Sequence, residues 1–315
     1  MEIVLVVLIT FAVAGGFVSA YIANRPKLGV AATVFCGVFV QAVPFLVLGV
    51  VVSGLVAAFA TPDRLARWLP RRAGLAILAA GVGGAALPGC ECGSVPIGRR
   101  LFDAASGGAA LTFMLSAPAI NPVVLVATSV AFPGEPRMVV ARLIGSLLTA
   151  VVMGAVWSRW GKAEWVTRRL PKMHDTEASR WTVFTEAARH DFLTGASYLV
   201  LGAAAAAALH VLLPPWVFAG LAGHMVIAIV VMALLAVVLA LCSEADAFVA
   251  SSLTALPLLP RLVFVVVGPA VDVKLFAMQA GMFGQRFAVR FAPATFVVAT
   301  LIATVVGYLV LGGAR

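Results

Sequence analysis

PGCECGSVP, residues Pro88–Pro96, interrupts two apolar runs with two thiols and a carboxylate, framed by Gly89, Gly93 and a proline at either end. A second interruption, LCSEADAF at Leu241–Phe248, echoes it. Charged groups are expensive in hydrocarbon, about 2.5–3.5 kcal/mol each near mid-membrane on insertion scales, so acids in apolar sequence mark a membrane interior with work to do. The rest of the chain agrees. Of 315 residues, 63% are apolar and 11% charged, and the mean hydropathy is +1.09, values outside the range of a soluble domain. The expected class is an all-α integral membrane protein.

Working outward, apolar runs long enough to span about 30 Å of hydrocarbon occur at 3–23, 29–60, 106–132, 138–160, 191–213 and 291–311. Backbone amides facing lipid must find partners within their own segment, and these runs lack the alternation of a barrel strand, so they read as helices. Residues 74–103 and 216–285 are apolar but interrupted. With them the count becomes about eight or nine membrane helices, some re-entrant or broken. The boundaries expected are an N-terminal helix over 1–28, a first membrane unit over 29–160, a cytoplasmic linker over 161–190 and a second unit over 191–315. The first run lacks a basic n-region and reads as a retained helix rather than a cleaved signal.

The net charge of +9 does not form a basic tract with interleaved aromatics, so nucleic acid is not an expected partner. Its arginines instead read as topology marks. Arg64, Arg67, Arg71, Arg72, Arg99, Arg100 and the linker from Lys162 to Arg189 belong on the cytoplasmic side, and Arg25, Lys27, Arg137 and Arg261 outside. Because Arg71 and Arg100 flank residues 74–103 and share a side, that segment reads as a re-entrant hairpin tipped by PGCECGS, with a broken spanning helix as the alternative.

A shift of about 150 residues superimposes the two halves in order. FLVLG (Phe45–Gly49) falls on YLVLG (Tyr198–Gly202), Cys90 on Cys242, Cys92 on Glu244, Ser94 on Asp246 and Leu101 on Leu253. Further on, APAIN (Ala117–Asn121) falls on GPAVD (Gly268–Asp272), and Arg137 on Arg286. Three crossings and a hairpin per unit would start the second unit from the opposite face. The expected architecture is therefore two inverted repeats plus an extra N-terminal helix, the arrangement in which secondary transporters build midplane sites.

The candidate site follows from these breaks. Cys90 and Cys92 flank Glu91, with Cys242 as a possible third thiol; thiolates select soft metals and trivalent metalloids. Glu91, Glu244, Asp246 and Asp272 are carboxylates in apolar surroundings, able to take part in proton uptake, or to form a buried pair with Lys274, Arg99 or Arg100. Asn121 lines the solute path or caps a kinked helix. Cys36, alone on an apolar helix, reads as a core residue. Ser116, Ser251 and Ser252 lack triad partners, and no G-x-x-x-x-G-K-[ST] loop is present, so neither an enzyme, nor a cofactor, nor ATP bound to this chain is expected.

PGCECGSVPIGRRL, SAPAINPVVLVAT, LCSEADAFVASSL and GPAVDVK together resemble the signatures of the bacterial predicted-permease family that includes the ArsP organoarsenical efflux permeases. The resemblance runs from about residue 30 to 311. It implies a multi-pass inner-membrane permease exporting trivalent organoarsenicals, with Cys90, Cys92 and Cys242 as thiol ligands and Asn121, Glu244, Asp246 and Asp272 as polar site residues. Its partners would be the bilayer, a small thiol-reactive solute and protons. Glu91 departs from the aspartate expected in some relatives. The rival readings are a divalent metal permease using the carboxylates, and a thiol oxidoreductase using Cys90 and Cys92, the latter disfavoured by the strain of a one-residue disulfide loop.

Overall fold

A computed structural model describes residues 26–59, 70, 72–85, 91–104, 106–166, 180–212, 224–253 and 256–312. The expected N-terminal helix at 3–23 and the thiol of Cys90 lie outside the described residues. Twelve α-helices occur among those described, with no strand: α1 (Pro26–Phe59), α2 (Ala73–Gly84), α3 (Glu91–Ala104), α4 (Gly107–Ile120), α5 (Pro122–Ala131), α6 (Pro136–Trp160), α7 (Arg180–Leu212), α8 (Met225–Leu239), α9 (Ser243–Ser252), α10 (Leu258–Val267), α11 (Val273–Met282) and α12 (Gln285–Leu311). Three spans are long and apolar enough to cross a membrane, 107–131, 136–160 and 285–311. Their composition places the chain in a membrane.

Burial follows the same logic. The outside is apolar: Val126, Val297, Leu301, Val305 and Leu309 stand exposed. Inside lie Thr112, Asn121, Thr128, Arg142, Thr149, Asp246, Asp272, Lys274 and Thr295. A soluble protein has the reverse distribution, and the membrane interior explains this one. Thr112, Thr128, Thr149 and Thr295 each return their hydroxyl to the carbonyl four residues back, so the helices absorb these polar groups locally.

The helix edges match the expected runs where packing does not intervene. α1 and α6 fall on their runs, whereas α7 begins at Arg180 and α12 at Gln285, both earlier than hydropathy indicates. The added turns carry polar residues, Arg189 in α7 and Arg290 in α12 among them, which hydropathy rejects; the Arg290 guanidinium lies over the Trp165 ring. The expected solvated linker is also partly packed: Trp165 stands edge-on to Trp157, with Arg290 over its ring.

Directions can be read from close approaches. On α2, Gly81 faces Thr112 and Gly84 faces Ser116 and Ala117, so α2 runs parallel to α4. On α3, Gly98 faces Met114 and Phe102 meets Gly107, so α3 runs antiparallel to α4. The two arms α2 and α3 are therefore antiparallel to each other. α1 packs along α7 with Gly54 against Phe184, and α6 along α12 with Trp157 against Phe287 and Phe291. Each of these pairs is antiparallel. The contacts also recur at a spacing of six helices: α4 with α6 and α10 with α12; α2 with α4 and α8 with α10; α3 with α4 and α9 with α10. Between the halves the packing is crosswise, α5 on α9 and α3 on α11.

Helices α4 and α6 approach most closely at glycines. A Cβ on Gly154 would come within 2.7 Å of the Gly108 carbonyl and strike Thr112 Oγ1, and backbone cannot give way as a side chain can. Gly154→Val should lower stability by about 1–3 kcal/mol. The check is the thermal unfolding midpoint in detergent; an unchanged midpoint would show that these helices do not depend on the small-residue seam.

Candidate functional site

Three of the expected breaks, at 121, at 240–242 and at 272, fall among the described residues, and at 121 and 272 the residue's own side chain closes the break. At the first, Asn121 has extended backbone (φ −66°, ψ 155°); its Oδ1 accepts from Val124 N at 2.9 Å and its Nδ2 donates to Ala117 O at 3.1 Å. Pro122, at the first position of α5, has no N–H to satisfy. At the equivalent position of the second half, Asp272 is also extended and its Oδ1 accepts from Leu275 N. Asn121 and Asp272, superimposed by the sequence shift, thus do the same work as N-caps. The local capping reading of Asn121 holds.

The acidic interruption at 241–248 has a sharper backbone. α8 ends at Ala240, the one non-glycine residue described with a positive φ (47°). A left-handed alanine costs about 1–2 kcal/mol, so surrounding contacts hold it there. Cys242 follows, 2% exposed, as the N-cap residue of α9. Asp246, 1% exposed, sits one turn into α9, and its Oδ2 lies 2.5 Å from where a Cβ on Gly268 would stand. LCSEADAF and GPAVD therefore meet inside the second half, and only glycine at 268 leaves room for the carboxylate.

Two arginines fasten these breaks across the halves. Arg142, fully buried on α6, donates from Nη1 to Thr128 Oγ1 on α5 and from Nη2 to the Ser243 carbonyl at the start of α9, both at 2.7 Å. Arg99, 2% exposed on α3, donates from Nε to the Met282 carbonyl at the end of α11 at 3.0 Å and lies over the Phe283 ring. Beside it Arg100 pairs with the buried Asp191 of α7 at 3.1 Å. Arg99 was expected on the cytoplasmic side or in a buried pair; its guanidinium lies inside the bundle, because the terminal carbonyls of α11 need donors that lipid cannot give.

Asp272 and Lys274 form the buried pair that their spacing allowed, Oδ2 to Nζ at 3.6 Å with both side chains fully enclosed. Asp272 also lines a 300 Å³ apolar cavity walled by Leu234, Val237, Phe276, Pro293 and Phe296. Glu91 and Cys92 open α3, and Glu244 lies in the first turn of α9, but their side chains, like all of Cys90, lie outside the described residues. Among the described residues no three His, Cys, Asp or Glu side chains converge as a metal site. Cys242 is buried, and Cys36 is exposed on α1 rather than buried, since an apolar helix shows its apolar face to lipid.

Arg142, Thr128 and Gln279 escaped the sequence reading. Arg142 had a signal: a lone arginine within the apolar run VVARLIGSLL is as anomalous as any carboxylate. Gln279 Oε1 and Ser146 Oγ are buried and make no hydrogen bond among the described residues.

A family profile described as "Predicted permease" (ArsP_1) matches residues 27–308. The chain belongs to the ArsP_1 predicted-permease family. A Streptococcus mutans protein (serotype c, strain ATCC 700610 / UA159) named "Putative two-component membrane permease complex subunit" is 31% identical over 285 residues, 88% of this chain and 94% of its own. UPF0718 protein YcgR of Bacillus subtilis (strain 168) is 32% identical over 278 residues, 86% and 94% of the two chains. No solved structure matches. The ArsP_1 match takes in nearly all of α1–α12, so every break and tie described here lies within the permease-family region.

In this ArsP_1 chain, Asp272→Asn keeps a capping acceptor but strips Lys274 of its counter-charge, which should cost about 3–5 kcal/mol. Adding Lys274→Met to that variant should restore most of the loss. Denaturation midpoints of the single and double variants in detergent measure this. Additive losses would mean the two residues do not act as a pair.

Proposed function

We propose that this chain is a secondary permease of the bacterial inner membrane, built from two inverted repeats, α1–α6 and α7–α12, with the α2–α3 arms as a re-entrant hairpin and α8–α9 as its counterpart. Support comes from the repeating helix contacts, the antiparallel pairing of α1 with α7 and α6 with α12, and the equivalent caps at Asn121 and Asp272. The observation that carries the reading is the cluster of buried polar groups at helix breaks inside an apolar shell, tied between halves by Arg142. A structural core has no need of so many intramembrane charges, whereas a solute path does. Ser116, Ser251 and Ser252 spend their hydroxyls on carbonyls of their own helices.

The cargo is a soft, thiol-reactive solute, trivalent organoarsenicals in the first place, exported by exchange among Cys90, Cys92 and Cys242. Cys242 stands buried at the N-terminus of α9, one turn from Asp246. Ser146 and Gln279 supply further buried polar atoms for the solute's remaining groups. Protonation of Glu91, Glu244 or Asp246 couples release to proton entry, and a second membrane subunit, of the kind the Streptococcus mutans relative's name describes, completes the complex. Divalent metal transport through the carboxylates is the alternative outcome of the test below.

In everted vesicles, uptake of methylarsenite should respond to an imposed proton gradient and vanish in Cys90→Ser and Cys92→Ser variants that still insert. Retained arsenical uptake in both variants would remove the thiol exchange; zinc or cobalt uptake that survives the serines but fails in Asp246→Asn would establish the metal reading instead.

A further inference from the structure

One end of the bundle is plugged, while the corresponding place at the other end is open. At the plugged end, Phe102 of α3 stands edge-on to Trp157 of α6 and to Phe283, each at 5.8 Å, and Phe283, Phe287 and Phe291 stack in sequence at 4.8 Å spacings. Arg99 to the Met282 carbonyl and Arg100 to Asp191 tie α3 to α11 and α7 of the other half. At the opposite end, a 420 Å³ cavity opens between the α5–α6 turn of the first half and the α9–α10 turn of the second, lined by Phe132, Pro133, Glu135, Ser251, Pro257 and Arg261 among others.

The two places are equivalent. The shift that sets Leu101 on Leu253 sets Arg99 on Ser251, and the shift that sets APAIN on GPAVD sets Phe132 on Phe283. Phe283 is fully buried beneath Arg99; Phe132 is buried too, at 6% exposure, and borders the cavity. IGRRLF at 97–102 corresponds to VASSLT at 249–254, so the difference is written in the sequence: two guanidinium groups stand at one position and two serines at the other. Among the described residues, Ser251 and Ser252 donate to the carbonyls of Phe248 and Val249 in their own helix.

We propose that the cavity at Phe132, Glu135, Ser251 and Arg261 is the open mouth of the solute path, and that Arg99, Arg100 and Phe102 on α3 are the gate closing its counterpart on the other face. The mouth suits a small solute with an apolar body, since Phe132, Pro133, Pro257 and Leu258 form its walls, with Glu135 exposed beside them. Arg137 and Arg261 mark that face as the outer one by the charge distribution above, so the gate faces the cytoplasm. Opening it exchanges the Arg99 and Arg100 contacts for water, which guanidinium groups accept more readily than apolar side chains do. The inference rests on the permease reading, and it names which face is open and which residues hold the other shut.

The test compares Phe132→Cys with Phe283→Cys in right-side-out and everted vesicles, using a membrane-impermeant maleimide and the native chain as background for its own cysteines. Phe132→Cys should be labelled in right-side-out vesicles and Phe283→Cys in neither. Adding Asp191→Asn, which removes one gate tie without opening a large cavity, should raise Phe283→Cys labelling in everted vesicles by at least about tenfold, the factor that about 1.4 kcal/mol supplies. Equal labelling of the two cysteines, or no change on adding Asp191→Asn in protein of unaltered size-exclusion profile, overturns the gate. Labelling needs no solute: the expected pattern without arsenical or metal uptake would sink the permease reading and leave the gate standing, and uptake without the pattern would do the reverse.

Discussion

Every helix break inside this bundle frees backbone carbonyls and amides in a medium that offers no hydrogen bonds, and the fold is arranged around meeting that demand. The caps at Asn121 and Asp272 meet it locally. The carbonyls at the start of α9 and the end of α11 are met from a distance, by Arg142 and Arg99 of the first half. A guanidinium suits this task because it presents several donors in a fixed plane and so serves two acceptors at once, as Arg142 does with Thr128 and Ser243. Without the breaks these arginines would be insupportable in lipid, and without the arginines the breaks would be. Each explains the other, and together they hold the halves crosswise.

The division of labour is unequal. All three arginines that reach across, Arg99, Arg100 and Arg142, lie in the first half, although the helix contacts of the two halves correspond closely. Under the shift that sets Arg137 on Arg286, Arg142 falls on Phe291, so the second half places an aromatic ring where the first places a charge. One end of the bundle is thereby sealed by Phe102, Trp157, Phe283 and Phe287 with arginines at their margin, and the other keeps a polar tie and an open cavity. The positions that the shift superimposes carry different side chains, and that makes the two ends of the bundle chemically distinct.

Much of this was legible in the sequence because membrane physics leaves few choices. Apolar runs gave α1 and α6, and proline beside Asn or Asp marked 121 and 272 as breaks. The Asp272–Lys274 pair followed from spacing and the cost of isolated charge. Arg99 gave no sign of its partner: positive charge beside an apolar run reads as a topology mark, and only the position of Met282, 183 residues away in sequence, shows that it has a carbonyl to serve. Arg142 was as silent about Ser243, which looks like an ordinary member of an acidic motif. Local pattern reveals that a charge is costly; it does not reveal which distant backbone group repays it. The same holds for Asp191, at the edge of its apolar run, which becomes tolerable only once Arg100 lies beside it.

The way these parts are joined also indicates which of them can move. α4 and α6 meet through Gly108 and Gly154 with backbone against backbone, and any separation would open a void that neither lipid nor a solute could fill. Those helices form a fixed body. α3 is held differently, by arginine contacts to a carbonyl and a carboxylate that water can replace, and by ring edges that can slide while staying in contact. α9 packs on α5 and α10, takes a hydrogen bond from Arg142 at its Ser243 carbonyl, and sets Asp246 against Gly268. Contacts between the halves are of both kinds, apolar where Trp157 meets Phe287 and Phe291, and polar where Arg99, Arg100 and Arg142 reach across. A rearrangement of the bundle should exchange the polar ties, which water can replace, before it parts the backbone seam of α4 and α6.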